Sequence, residues 1–183
     1  DSVTDTYLEY VPVASATVTA DAWTLIKGTF TYDGTTPFEA FILETNQGAA
    51  NVSFIVDNFS VAGEVVPSSS SSSSTSSSGG GIRNLAANGA VEAGSNHWAA
   101  RGGATIQRTT VDKHAGEASV LVSNRADFWQ GALFTLGELT AGNSYKVSAW
   151  IKLAPGEPTE VVKITGKRKD DADSETYLEY TSI

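Results

Sequence analysis

The pentapeptide TYLEY occupies residues 6–10 and returns as residues 176–180, each time behind an acidic, turn-rich stretch. The copies stand roughly 170 residues apart, a spacing that reads as one full period, plus a short overlap, of a repeating unit. Between them, residues 67–81 of VVPSSSSSSSTSSSGGG hold almost nothing except Ser and Gly. Such a run has no side chains to bury and behaves as a solvated coil with ends about 20 Å apart. Residues 67–81 therefore read as a linker between residues 1–66 and residues 82–183.

Both flanks read as β. Before the linker, ATVTADAWTLIKGTFTYDGTTPFEAFILETNQGAANVSFIVDNFSVAG sets short runs rich in Val, Thr, Phe and Ile between Asp-Gly, Asn-Gln-Gly and Ala-Gly turns. No helical period is sustained there for more than a turn or two. After the linker, ASVLVSNR, QGALFTLG, SYKVSAWIKL and EVVKITGKRK alternate in the same way. Many short strands at close spacing predict an all-β fold, an antiparallel β-sandwich of the jelly-roll kind. Residues 14–66 alone offer about four strands, too few to cover their own apolar face and edges. Read in the order 82–183 and then 14–66, the two flanks and the linker fill the repeat spacing, so together they predict one sandwich closed as a circular permutant.

Composition narrows the function. The 183 residues are 40% hydrophobic, enough for the core of one domain. Twelve Lys and Arg against 21 Asp and Glu give a net charge of −9, with no basic block to track a phosphate backbone, so nucleic acid is not expected as a partner. No stretch approaches the roughly 20 apolar residues of a membrane span. The absence of cysteine removes disulfides, thiolate catalysis and Cys-based zinc sites together.

Taken in permuted order, NLAANGAVEAGSNHWAARGGATI, HAGEASVLVSNRADFWQGA, LTAGNSYKVSAWIKL, TYLEY, VTADAWTLIKGTFTY and FILETNQGAANVSFIVDNFSV resemble the consecutive blocks of carbohydrate-binding modules of families 4, 9 and 22. The similarity is greatest to the xylan-binding family 22 and covers nearly everything outside the linker. It implies a non-catalytic, secreted module that holds an attached glycoside hydrolase against plant cell-wall polysaccharide, xylan or a β-glucan. It also implies that the chain is cut from a tandem array, carrying the C-terminal half of one module in residues 1–66 and the N-terminal half of the next in residues 82–183. One TYLEY copy is then surplus, and an unpaired duplicate strand is a route to a strand-swapped homo-oligomer.

Sugar recognition by such a module needs an exposed ring for the apolar sugar face, with polar side chains beside it for the hydroxyls. Trp129 fits by context, following a polar loop and preceding Gln130 and Gly131 in place of an apolar run, and Gln130 is expected to bind the ligand beside it. The resemblance makes Trp129 the main stacking platform, Arg101 a cleft arginine, Glu44 a hydroxyl acceptor, and Tyr177 or its duplicate Tyr7 a further cleft aromatic. Without it, Trp129 reads equally as a core residue, Arg101 as a surface charge and either Tyr as a half-buried strand residue. In FEAFILETNQ the alternation puts Ile42 and Glu44 on one face and Phe41 and Leu43 on the other. Ile42 stands where the family has a Tyr, a loss of about 1 kcal/mol of stacking that puts the identity of the glycan in question. Trp23, Trp98 and Trp150 are expected in the core.

The resemblance further implies a structural Ca²⁺ held by Glu92 and Asp57 with carbonyls near residues 113–117, a hard-oxygen donor set suited to that ion. Catalysis is not expected. His97 and His114 lie apart, no G-x-S-x-G or H-E-x-x-H occurs, and the strand motif of jelly-roll hydrolases is missing. The alternatives left open are a structural spacer that binds no ligand and, less well supported, a jelly-roll hydrolase using Glu44 and Glu179.

Overall fold

The structure, a computed structural model, describes residues 10–35, 37–49, 51–64 and 82–168. Along the chain the strands are β1 (Tyr10–Val18), β2 (Thr24–Thr31), β3 (Phe38–Thr45), β4 (Phe54–Glu64), β5 (Ile82–Asn84), β6 (Trp98–Arg101), β7 (Thr105–Thr109), β8 (Ser119–Ser123), β9 (Gly131–Thr135), β10 (Ser144–Leu153) and β11 (Glu160–Arg168). No helix occurs among the described residues. The strands form two antiparallel sheets, a five-stranded one in the order β1-β11-β3-β9-β6 and a six-stranded one in the order β2-β10-β4-β8-β7, with β5 added beside β4. This is the all-β sandwich that the alternation predicts.

The strands form because their side chains alternate between two environments. In β10, Tyr145, Val147, Ala149, Ile151 and Leu153 are buried, while Lys146, Ser148, Trp150 and Lys152 point the other way. The two inner faces meet in an aromatic zipper. Phe59 of β4 contacts Phe41 of β3, Trp98 of β6 and Phe134 of β9, with ring centroids 5.8, 5.8 and 4.8 Å apart. Phe30 of β2 reaches Phe41 at 5.6 Å. Each fully buried ring of this kind stabilises the fold by roughly 1.5–3 kcal/mol. Where β1 crosses β2, Gly28 lies against the Val13 carbonyl, and a Cβ at that position would collide with it.

Strands from before and after the linker interleave. In the five-stranded sheet, β3 lies between β11 and β9, and β11 between β1 and β3. In the other, β10 lies between β2 and β4, and β4 between β10 and β8. The slot next to β11 is filled by β1, where Tyr10, the last residue of the first TYLEY copy, pairs with Lys167. The rest of that copy, the whole second copy and the linker lie outside the described residues.

Of the three tryptophans expected in the core, only Trp98 is there. Trp150 shares a face with Lys146 and Lys152, on the outside of the six-stranded sheet, because Val147, Ala149 and Ile151 take the inner positions. There its ring stacks on His114 at 3.9 Å, and His114 meets the edge of Trp23 at 5.8 Å.

The interleaving makes a direct prediction. Residues 82–183 alone would leave β9, β10 and β11 without their partners β2, β3 and β4, and are expected to show no cooperative urea transition until residues 1–66 are added. A cooperative transition from residues 82–183 alone, followed by circular dichroism, would contradict the requirement for both.

Candidate functional site

The outer face of the five-stranded sheet carries the candidate site. Lys163 of β11 pairs with Glu44 of β3, and Arg101 of β6 pairs with Gly131 of β9. Since Leu43 is opposite Ala132, Glu44 comes level with Gly131, and one row runs across the sheet as Lys163, Glu44, Gly131, Arg101. Gly131 packs against the Leu43 carbonyl so closely that a Cβ would clash with it. With no side chain at that point of the row, Arg101 can reach over β9 to Glu44.

Arg101 and Glu44 form an ion pair through Nη1 and Oε2. The other Glu44 oxygen accepts from the Thr165 hydroxyl at 3.1 Å and faces the Lys163 ammonium at 3.4 Å. Glu44 is only 4% exposed, so these donors are what make its burial tolerable. A carboxylate has about four acceptor positions, so little of Glu44 is left for a sugar hydroxyl. Ile42 shares the Glu44 face between Thr165 and Leu133, yet it is fully buried and offers no surface.

Trp129 precedes β9, in the loop that follows β8. Its carbonyl accepts from Arg101 Nη1 at 2.7 Å, and its half-buried indole lies 5.4 Å from the Arg101 guanidinium, a cation–π arrangement. The ring is seated on Gly102. A Cβ at Gly102 would strike the indole, and the residue's φ of +64° also favours glycine. Arg101, Trp129 and Glu44 are thus brought together. Gln130 adjoins them but turns inward: it is 9% exposed, and its side-chain carbonyl accepts from the Ala126 amide at 2.8 Å. That makes Gln130 a brace for the loop. Tyr7, Tyr177 and Glu179 lie outside the described residues.

The site residue that sequence reasoning missed is Arg125. Buried at 7% exposure, it donates to the Gln130, Val52 and Phe128 carbonyls and to the Thr45 hydroxyl. Burial lowers its pKa below the ordinary arginine value, while the carboxylates of Glu44, Asp127, Glu157 and Glu160 act in the opposite sense. Arginine is a surface residue by default, and nothing in NRADFWQG marks this one as internal. The glycine pair Gly102-Gly103 is a signal that could have located the seat of the indole.

Asp57 and Glu92 meet one loop from two sides. Asp57, fully buried, accepts from the amides of Asn58, His114 and Ala115 at 2.7, 2.8 and 3.0 Å. Both oxygens of the exposed Glu92 lie within 3.1 Å of the Glu117 amide, and its carboxylate rests on Gly116, where φ is +64°. Carboxylates are hard donors, and Asp57 Oδ1 has lone-pair capacity beyond its bond to Asn58, so these two side chains are of the type that suits a Ca²⁺ ion. No cluster of three or more His, Cys, Asp or Glu side chains is present among the described residues. An ion here would therefore draw its remaining ligands from carbonyls and water.

Comparison with known proteins agrees with this architecture. The family described as "Carbohydrate binding domain" matches residues 83–183. The chain is 25% identical to endo-1,4-beta-xylanase A of Thermoanaerobacterium saccharolyticum over 159 residues, 86% of this chain and 13% of that protein. It is 27% identical to endo-1,4-beta-xylanase A of Thermotoga neapolitana over 175 residues, 93% of this chain and 15% of that protein. Exoglucanase XynX of Acetivibrio thermocellus is 32% identical over 92 residues, 48% of this chain and 8% of that protein. The chain thus spans only a small part of the length of the curated relatives it matches. No solved structure matches it. By the residues matched and the two-sheet fold that carries them, the chain belongs to the carbohydrate-binding domain family, of the family 4 and 9 type.

Proposed function

We propose that this chain is a non-catalytic module that binds plant cell-wall polysaccharide, xylan or a β-glucan, and holds an attached, secreted glycoside hydrolase against it. The observation that carries the reading is the partly exposed indole of Trp129 beside the Arg101 guanidinium, at the end of a charged row across one sheet. The indole face supplies stacking for a pyranose ring, and the polar groups next to it supply hydrogen bonds to hydroxyls. Matches to proteins named as xylanases support the choice of glycan class. One observation favours the ligand-free spacer instead: Ile42 is buried on the same face, where an open cleft needs exposed surface.

Affinity electrophoresis separates the two. In gels containing xylan, barley β-glucan or hydroxyethylcellulose, at least one glycan is expected to retard the protein, and Trp129→Ala to migrate as if no glycan were present. A folded protein that no glycan slows would support the spacer.

The strand order supports reading residues 82–183 followed by 14–66 as one module, closed by the linker in the manner of a circular permutant. With β1 already beside β11, the C-terminal TYLEY copy would be surplus and could enter a second molecule. Light scattering after size exclusion is expected to show dimers that increase with concentration and are lost when residues 176–183 are deleted. A monomer mass at every concentration would contradict strand exchange.

Asp57 and Glu92 would hold a structural Ca²⁺ that ties the loop after β7 to β4 and to the segment before β6. Ca²⁺ at a hundred times its dissociation constant stabilises by about 2.7 kcal/mol, so Tm is expected to rise with Ca²⁺ and to fall with EGTA. Glu92→Gln should lose most of that difference. A Tm indifferent to both additions would remove the ion.

A further inference from the structure

We propose that Arg125 is the positioning residue for Trp129, fixing the indole where a sugar ring would meet it. The proposal deepens the glycan reading above and, where affinity is measured, rests on it.

The geometry is that of a clamp on both chain neighbours of the ring. Arg125 Nη2 donates to the Phe128 carbonyl at 2.8 Å, and Nε donates to the Gln130 carbonyl at 2.7 Å. The carbonyls of both chain neighbours of Trp129 are therefore gripped by one rigid guanidinium. The clamp is anchored in turn to strands of both sheets. Nη2 reaches the Thr45 hydroxyl at the end of β3 at 2.7 Å, Nη1 reaches the Val52 carbonyl just before β4 at 2.8 Å, and the guanidinium lies over the Phe54 ring of β4 at 5.3 Å. The Thr45 amide adds a bond to the Phe128 carbonyl at 3.2 Å, and Gln130 closes the loop through the Ala126 amide.

Only the planar fork of arginine can serve acceptors in these different directions at once; a lysine ammonium keeps the charge and loses the fork. A ring on a loosened loop has to be ordered when the ligand binds, at a cost of up to about tenfold in affinity. Arg101 grips the Trp129 carbonyl from the far side, so loss of Arg125 would leave the loop tethered there without the inner clamp.

The test uses the full chain, with xylohexaose as the probe in calorimetry and the indole N–H signals in ¹H–¹⁵N spectra as a readout that needs no ligand. Arg125→Lys is expected to weaken xylohexaose binding about tenfold and to shift and broaden the Trp129 indole signal. The Trp98 signal, in the core, should stay in place. Thr45→Val, which removes one anchor of the clamp and keeps the side-chain shape, should move the same indole and weaken binding about threefold; it decides the matter if Arg125→Lys does not fold. Wild-type affinity with an unmoved Trp129 signal in the folded variants would overturn the proposal. If wild-type protein ignores xylohexaose, the indole shift alone decides, and the failure belongs to the glycan reading.

Discussion

Backbone pairing between the two parts of the chain is the constraint on which everything else rests. Every inner strand of both sheets has at least one neighbour from the other side of the linker, so neither part can satisfy its own amides and carbonyls or cover its own apolar face. The aromatic zipper follows from the same arrangement. Phe59 and Phe41 come from before the linker, Phe134 and Trp98 from after it, and their rings touch only once the sheets have assembled. Core formation and strand exchange between the parts are therefore one event.

The site inherits this construction. Lys163, Glu44 and Arg101 lie on three different strands drawn from both parts, and they fall in one row only because β3 lies between β11 and β9. Placing an ionised Glu44 inside is costly, and the Arg101 guanidinium, the Thr165 hydroxyl and the Lys163 ammonium offset that cost together. Much of the polar character of this face is consequently committed to internal pairing. Trp129, seated on Gly102 and with both chain neighbours held by Arg125, stands beside that row and is partly exposed. Rigidity of such a ring lowers the cost of ordering side chains on any ligand it meets.

Sequence reasoning carried furthest where periodicity was strong. The split of FEAFILET into Phe41 and Leu43 inward, Ile42 and Glu44 outward, holds in the structure, because a strand leaves a side chain no other choice of face. The same rule applied to SYKVSAWIKL puts Trp150 outward, opposite Val147, Ala149 and Ile151; the expectation of a core position rests on reading the strand as central, which β10 is, but a central strand still has an outer face. Arg125 could not be read at all, and Gln130, expected beside Trp129 at the sugar, is instead the brace of the loop. Their roles depend on carbonyls at Val52 and Phe128 and on the Ala126 amide, partners that loop geometry brings together and that no spacing in the sequence announces.

The most direct test of where sugar binds is a titration of the ¹⁵N-labelled protein with soluble xylan oligosaccharides, following amide and indole shifts residue by residue. The expected result is a set of largest changes at Trp129, Arg101, Gly131 and Glu44, confined to the outer face of the five-stranded sheet. Largest changes at Trp23, Leu25, His114 and Trp150, on the opposite sheet, would contradict the placement of the site.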